Sequence, residues 1–244
     1  VTPTFENGGV NCEGPAIPFE ITVNPTAQVN PTNDFIVSNG DNINIPFTTI
    51  NSGGTTTYNW SNSDSTVGLT ATGFGDIDFT VVNNGTAPVT TTVVVTPTFD
   101  NGGVSNTGSS ESFTITVNPT AQVELISDLV YCNEDISDEI VFDTINTDGV
   151  SSYSWTNDNT DIGLASSGNG DILAFTVSNP FNNIIVSNIT VTPTYTNNGI
   201  SCSGPSKSFT ISVNPTAQVD TVIDQVLCNG ETTESIVFTT INSG

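Results

Sequence analysis

The chain predicts an all-β fold, built from β-sandwich domains in tandem. Three observations carry this. The heptapeptide Val-Asn-Pro-Thr-Ala-Gln-Val occurs three times without a change, starting at Val23, Val117 and Val213, at intervals of 94 and 96 residues. β-Branched residues abound and Met is absent, a composition that favours strands over helices. Short runs of alternating apolar and polar residues are bounded by Gly, Asn and Asp, and no stretch keeps a helical period.

An unchanged heptapeptide at near-constant spacing means tandem copies of one unit. A copy of this size can bury its own core, whereas short solenoid repeats lean on their neighbours. The expected division is the C-terminal part of a repeat at 1–24, complete repeats at 25–118 and 119–214, and the N-terminal part of a repeat at 215–244. The chain is therefore expected to be a stretch of a longer array.

The second complete copy gives the elements in order. Residues 121–126 read as a first strand and 128–132 as a short apolar one. Residues 139–145 follow, with Ile140, Phe142 and Ile145 as core candidates. Over 151–156, alternation puts Tyr153 and Trp155 on one face. A glycine-rich connection spans 163–170, and strands are expected at 172–177, 184–195 and 208–213. In the last, Phe209, Ile211 and Val213 alternate with Thr210 and Ser212. About seven short strands in such a length is the pattern of an immunoglobulin-like sandwich.

Three local features sharpen this reading. Asn-Gly at 7–8, 101–102 and 198–199 supplies positive φ between two strands, so the last two strands are expected to form a hairpin. Pro3, Pro97 and Pro193 interrupt otherwise strand-like runs and should sit where regular pairing is left, since proline has no ladder N–H. Tyr58-Asn-Trp60 recurs as Tyr153-Ser-Trp155, which marks Trp60 and Trp155 as core aromatics. The competing reading is an exposed platform for stacking sugars.

The four cysteines fall in two repeat positions. Cys132 and Cys228 share the first, where the copy 25–118 has Ser38; Cys12 and Cys202 share the second, where that copy has Asn106. One copy lacks both and the other has both, as a disulfide within a repeat predicts. A Cys202–Cys228 bridge between neighbours would set Cys132 against Asn106 and Cys12 against Ser38. The expected bridge is therefore Cys132–Cys202, stabilising by roughly 4 kcal/mol in the chain-entropy model and requiring an oxidising compartment. Two buried free thiols are the alternative, and Cys12 and Cys228 would have partners outside the chain.

The charge excludes several function classes. There are 25 acidic residues, one base (Lys207), no Arg and no His, a net charge of -24. Such a surface repels nucleic acid and anionic membranes, and no run of 18 apolar residues could insert as a helix. Without His, and with a solitary Lys, nucleophile-and-base arrangements fail. Zinc is disfavoured because there is no His and no Cys-x-x-Cys. Carboxylates remain. Asp76 and Asp171 recur in Gly-Asp-Ile, where a turn role outweighs a calcium ligand or a catalytic acid. Asp158 and Asp161 could join a calcium site, but Ser63 and Thr66 replace them in the other copy. No enzyme activity, no cofactor and no general metal site are expected.

The ordered motifs from Cys132 to Ala217 carry a resemblance. Cys132-Asn-Glu, Ile140-Val-Phe-Asp-Thr-Ile-Asn146, Tyr153-Ser-Trp155, Ile162-Gly-Leu-Ala165 and Gly168-Asn-Gly-Asp-Ile172 come first. Ile189-Thr-Val-Thr-Pro-Thr-Tyr195, Ser201-Cys-Ser-Gly-Pro-Ser206 and Phe209-Thr-Ile-Ser-Val-Asn-Pro-Thr-Ala217 follow. The succession resembles the PKD-like (polycystic-kidney-disease-like) immunoglobulin-fold repeats of giant surface adhesins of Bacteroidota. The resemblance implies an extracellular stalk or filament at the cell surface, exported by type IX secretion and in some cases tied to gliding motility. It implies no catalytic residue. The copy 25–118 departs from the pattern in lacking the cysteine pair.

On that fold the heptapeptide becomes a joint. Asn24, Pro25, Asn118, Pro119, Asn214 and Pro215 lie between the last strand of one domain and the first of the next. Proline fixes φ and restricts the residue before it, so the tandem domains should form an extended, semi-rigid rod advancing roughly 30–45 Å per repeat. The expected partners are neighbouring repeats of the same chain and other copies in a fibre. A polysaccharide-binding sandwich module is the second functional reading.

Overall fold

The computed structural model describes residues 1–243. Among them every extended element is a β-strand, and no helix is long and apolar enough to cross a membrane. Near the start, β1 (Thr4–Asn7) and β2 (Val10–Glu13) form an exposed hairpin.

The first sandwich contains β3 (Phe35–Ser38), β4 (Asn42–Ile45), β5 (Thr55–Asn62), β6 (Thr72–Phe74), β7 (Ile77–Thr80), β8 (Val89–Asn101), β9 (Val104–Thr107) and β10 (Glu111–Asn118). One sheet runs β3-β10-β8-β5-β6, with β9 also on β8, and the ladder β4-β7 covers it. β3 pairs parallel with β10, while the other pairs are antiparallel. The second sandwich repeats this order: β11 (Leu129–Cys132), β12 (Val150–Asn157), β13 (Ser167–Asn169), β14 (Ile185–Asn197), β15 (Ile200–Ser203) and β16 (Lys207–Asn214) form the sheet β11-β16-β14-β12-β13, with β15 on β14.

Two separate apolar cores follow from the alternation. In the first, Ile43, Ile45 and Ile77 of the small ladder pack with Trp60, Val93, Val95, Phe113 and Ile115 of the large sheet. In the second, Ile140, Phe142 and Ile172 pack with Trp155, Ile189, Val191, Phe209 and Ile211. Ile145, a core candidate, is instead about half exposed, because the chain there turns towards the joint.

The tryptophans sit in these cores, and a glycine on the neighbouring strand makes room for each. Gly73 lies opposite Trp60, and a Cβ there would stand 2.1 Å from the indole; the figure is 2.2 Å for Gly168 and Trp155. No side chain larger than hydrogen fits between indole and strand.

Some expected strands are replaced by side-chain bonds. The ladder of 42–45 with 77–80 shrinks in the second sandwich to the bridges Ile136–Thr176 and Ile140–Ile172. There the Ser137 hydroxyl accepts the Phe175 N–H at 3.0 Å, where the first sandwich has a continuous ladder. Residues 121–126 form no strand either, since the Gln122 N–H goes to the side chain of Asn146 at 2.7 Å.

The hairpin at Asn-Gly also differs. β14 turns through Asn198 (φ 48°) and Gly199 (φ 81°) into a short strand, β15, and only afterwards does β16 pair with the other end of β14. Pro97 and Pro193 lie where the long strand changes partner: β8 pairs with β10 up to Val95 and with β9 from Thr98. The same switch falls between Val191 and Thr194.

This arrangement rules out the expected Cys132–Cys202 disulfide. Cys132 lies opposite Asn214, next to the Ile185 end of β14, whereas Cys202 lies opposite Tyr195. Ten residues of β14 separate those two positions, about 33 Å at roughly 3.3 Å per residue. A disulfide needs Cα atoms about 4.4–6.8 Å apart. All four cysteines are free thiols; Cys202 is buried and the other three exposed.

Two aspartates fasten the parallel strand pairs. Asp34 accepts the Thr114 N–H at 2.6 Å, and Asp128 accepts that of Thr210 at 2.7 Å. The backbone bond first, then the threonine hydroxyl, hold both carboxyls below the ordinary aspartate range. A depressed folded-state value means that this contribution is present above the unfolded value and is lost as pH falls through the folded one. Amide protection factors at Thr114 and Thr210 should therefore fall on acidification below the ordinary aspartate range. Asp34→Asn and Asp128→Asn should abolish that step; protection that ignores pH in the native protein would contradict the assignment.

Candidate functional site

Asparagine is favoured in turns because its side chain bonds nearby backbone. In this chain, asparagines recur at matching repeat positions: Asn24 with Asn118 and Asn214, Asn39 with Asn133, Asn51 with Asn146 and Asn242, Asn83 with Asn179, and Asn101 with Asn197. The fold collects them at the ends of the sandwiches: Asn39, Asn83, Asn118, Asn146 and Asn197 lie around Asn118–Pro119, and their counterparts lie at the ends next to Pro25 and Pro215.

Asn118 ends β10 and is fully buried, and the Pro119 that follows is buried too. Its backbone carbonyl accepts the Asn39 N–H at 2.9 Å, which holds it to its own sandwich. Its side-chain oxygen accepts the Asn197 amide at 2.9 Å, from the β14–β15 hairpin of the next sandwich. The pairing is reciprocal, because the Asn118 amide reaches the Asn197 carbonyl at 3.5 Å. The same reciprocal pair forms between Asn24 and Asn101, where the Asn101 amide donates to Asn24 at 2.9 Å.

A second asparagine crosses the joint. Thr144 caps the tight turn before Asn146, accepting its N–H at 3.0 Å. The Asn146 amide then donates to the Thr120 carbonyl at 3.1 Å and to the Thr86 carbonyl of the preceding sandwich at 3.4 Å. Beside it the Thr147 N–H donates to Thr86 O at 2.9 Å. Asn182 receives the same pair of bonds, from the Asn242 amide at 3.4 Å and the Ser243 N–H at 3.0 Å.

Asn39 closes the network. Its amide donates to the Thr120 hydroxyl at 2.8 Å, and its oxygen accepts the Asn83 N–H at 2.8 Å. Asn83, buried, spends its own amide on the carbonyls of Val117 and Ala87. The loop that meets Thr86 is anchored from inside: the Tyr195 hydroxyl donates to Thr147 O at 2.8 Å, and burial, then the charge of Asp148, pushes its acidity down.

The expected joint residues are thus distributed as follows. Asn118 and Pro119 are buried between two complete sandwiches, Asn24, Asn214 and Pro215 are half-buried, and Pro25 is exposed. Pro25 O accepts the Asn106 amide at 2.8 Å, and the Asn106 oxygen accepts the Ala27 N–H at 3.0 Å. In the second sandwich Cys202 stands in that position, and its sulfur meets the Ser38 hydroxyl of the preceding sandwich. Asn39, Asn83, Asn146 and Asn197 did not enter the expected set. Their signal was recurrence at one position in successive repeats, which composition hides in so Asn-rich a chain.

Elsewhere the polar groups are engaged locally. Asp76 and Asp171 accept the backbone N–H of Phe47 and Phe142, at 2.9 and 2.8 Å. Asp158 accepts the Asn188 N–H at 2.8 Å. Among the described residues no three His, Cys, Asp or Glu side chains converge to hold a metal ion. Phe74 is exposed and Phe181 about half exposed.

No family model matches the chain, and no curated protein matches it. Solved structures similar to it include the insect immune protein hemolin, at 15% identity and a TM-score of 0.31, over 88% of this chain and 55% of that one. The human mucin-like protocadherin EC1-2 aligns at 11% identity and a TM-score of 0.30, over 78% and 97%. The chicken CNTN1 FN1–FN3 domains align at 12% and 0.30, over 78% and 65%. The chain spans about half the length of the hemolin chain it matches. The tandem-sandwich fold itself rests on the strand pairing and the two cores described above.

Proposed function

We propose that this chain is a semi-rigid structural stretch of a very large extracellular adhesin or surface filament, divided into repeats at 1–24, 25–118, 119–214 and 215–244. The observation that carries the reading is the hydrogen-bonded joint. Two sandwiches meet through Asn118–Asn197, Asn146–Thr86, Thr147–Thr86 and Asn39–Thr120, with a buried proline between them. Each bond is modest, about 0.5–1.5 kcal/mol net, but they act on different loops and so resist bending in more than one direction. The surface, at a net charge of -24, keeps copies apart except where specific contacts form.

The motif resemblance supports the finer reading, a stalk in a giant adhesin of Bacteroidota carried by type IX secretion, with gliding as one setting. The sugar-platform alternative loses its main support, because Trp60 and Trp155 are buried at 8% and 7% exposure. Electron microscopy of the native protein tests the proposal. Long strings of beads, each advancing roughly 30–45 Å, are expected; compact isolated particles would overturn it.

A further inference from the structure

Cys202 is buried at the joint, and its sulfur lies 2.5 Å from the hydroxyl oxygen of Ser38 in the preceding sandwich. Ser38 occupies the repeat position that holds Cys132 and Cys228 in the two copies that follow. The two cysteine positions, far apart within one sandwich, are therefore neighbours across a joint.

We infer that these positions form a covalent lock between successive repeats: the first cysteine of one repeat bonds the second cysteine of the next. Cys132 is the half that faces the following repeat, and Cys202 is the half that faces the preceding one. At the Asn118–Pro119 joint the lock is open, because Ser38 supplies a hydroxyl where a thiol would stand. That joint keeps a buried thiol and relies on its asparagines. An array built this way has covalently stapled joints and extensible ones, set by which repeats carry Ser and which Cys at this position. The inference rests on the joint geometry and the repeat alignment, and does not depend on what the array adheres to.

Closing the lock is a two-electron oxidation, with a disulfide as the oxidant. A cysteine thiolate attacks oxidised glutathione, releasing one reduced glutathione and leaving a mixed disulfide. The second cysteine, losing its proton, displaces the other glutathione as the S–S bond forms. A sulfur at position 38 stands farther from its Cβ than the serine oxygen does, which brings it closer to the Cys202 sulfur.

The test is Ser38→Cys in the 244-residue chain, held in oxidised glutathione and cleaved at acidic residues, since the chain has one Lys and no Arg. Non-reducing mass mapping should find a near-complete disulfide between the introduced cysteine and Cys202, with the exposed Cys12, Cys132 and Cys228 carrying glutathione and linked to no other cysteine of the chain. An introduced thiol and a Cys202 that both stay free in a chain with native circular dichroism, or a Cys202–Cys132 link, would overturn the inference. The unaltered chain provides a check that needs no variant: Cys202 should be alkylated at least tenfold more slowly than Cys132. Equal rates would show that Cys202 is not held in the joint. The electron-microscopy outcome above stands apart from this one, because an extended array with unlinked cysteines and a compact particle with linked ones are different results.

Discussion

Gly204→Val should unfold the second sandwich while leaving the first intact. Gly204 follows β15, and its N–H donates to Pro193 O at 3.0 Å, where the long strand changes partner. A Cβ at Gly204 would lie 1.8 Å from the Ala121 carbonyl oxygen, a backbone atom that cannot rotate away. Ala121 is fully buried, so neither side can retreat without opening the seam where the linker enters the sandwich. Gly108 and Ala27 make the same contact at 1.8 Å in the first sandwich. Overpacking of side chains costs about 1–3 kcal/mol. A clash between two backbone segments should reach the upper end or beyond, about 3 kcal/mol or more, which lowers Tm of a domain of this size by roughly 12–24 °C. The two tryptophans, one per sandwich, allow each transition to be followed: in Trp60→Phe, fluorescence reports the second sandwich alone. Ser154→Val, on the exposed face of β12, should shift stability by less than about 0.5 kcal/mol. A Gly204→Val chain that melts like its parent would mean that the linker does not lie where the structure puts it.

The second large effect concerns the joint and should appear in geometry rather than in melting. Asn118→Ala leaves the Asn197 amide without its acceptor in a partly buried place, which costs about 1–3 kcal/mol. Asn146→Ala removes the acceptor of the Gln122 N–H together with the donor to Thr86 and Thr120. Neither change touches the two apolar cores, so both sandwiches should keep their own transitions. What shifts is the balance between the closed joint and open arrangements, by a factor of roughly 5–150 for that range of energies. The double variant should therefore sample a broad set of interdomain distances.

The sequence carried the fold further than the site. Period-two alternation located β12, β14 and β16, because each buries one face against a core. Of the heptapeptide, Asn118 and Pro119 are buried between the two complete sandwiches, whereas Pro25 is exposed. β15 was missed, since its four residues pair only with the end of a strand already paired elsewhere. The strand expected at 121–126 failed because an amide side chain, Asn146, takes a bond that a neighbouring strand would otherwise supply. The disulfide failed for a related reason. Positions 38 and 106, which lack cysteine together in the copy 25–118, do not face each other: Ser38 faces Cys202 of the next copy, so joint loss within one copy does not identify a contact partner. The top of one sandwich and the bottom of the next are distant in the repeat and adjacent across the joint. The asparagine network was hidden likewise: turn chemistry explains an Asn locally, and nothing in one repeat reveals a partner in the next.

If these bonds hold successive sandwiches in one orientation, the distance between them is fixed. Distance measurement between spin labels tests it most directly. Labels at Asn59→Cys and Ser154→Cys, on the exposed faces of β5 and β12, would be placed in a chain whose four native cysteines are serines. A single narrow interdomain distance distribution is expected, which broadens when Asn118→Ala and Asn146→Ala are added. A distribution already broad in the parent chain, or one unmoved by the two substitutions, would contradict it.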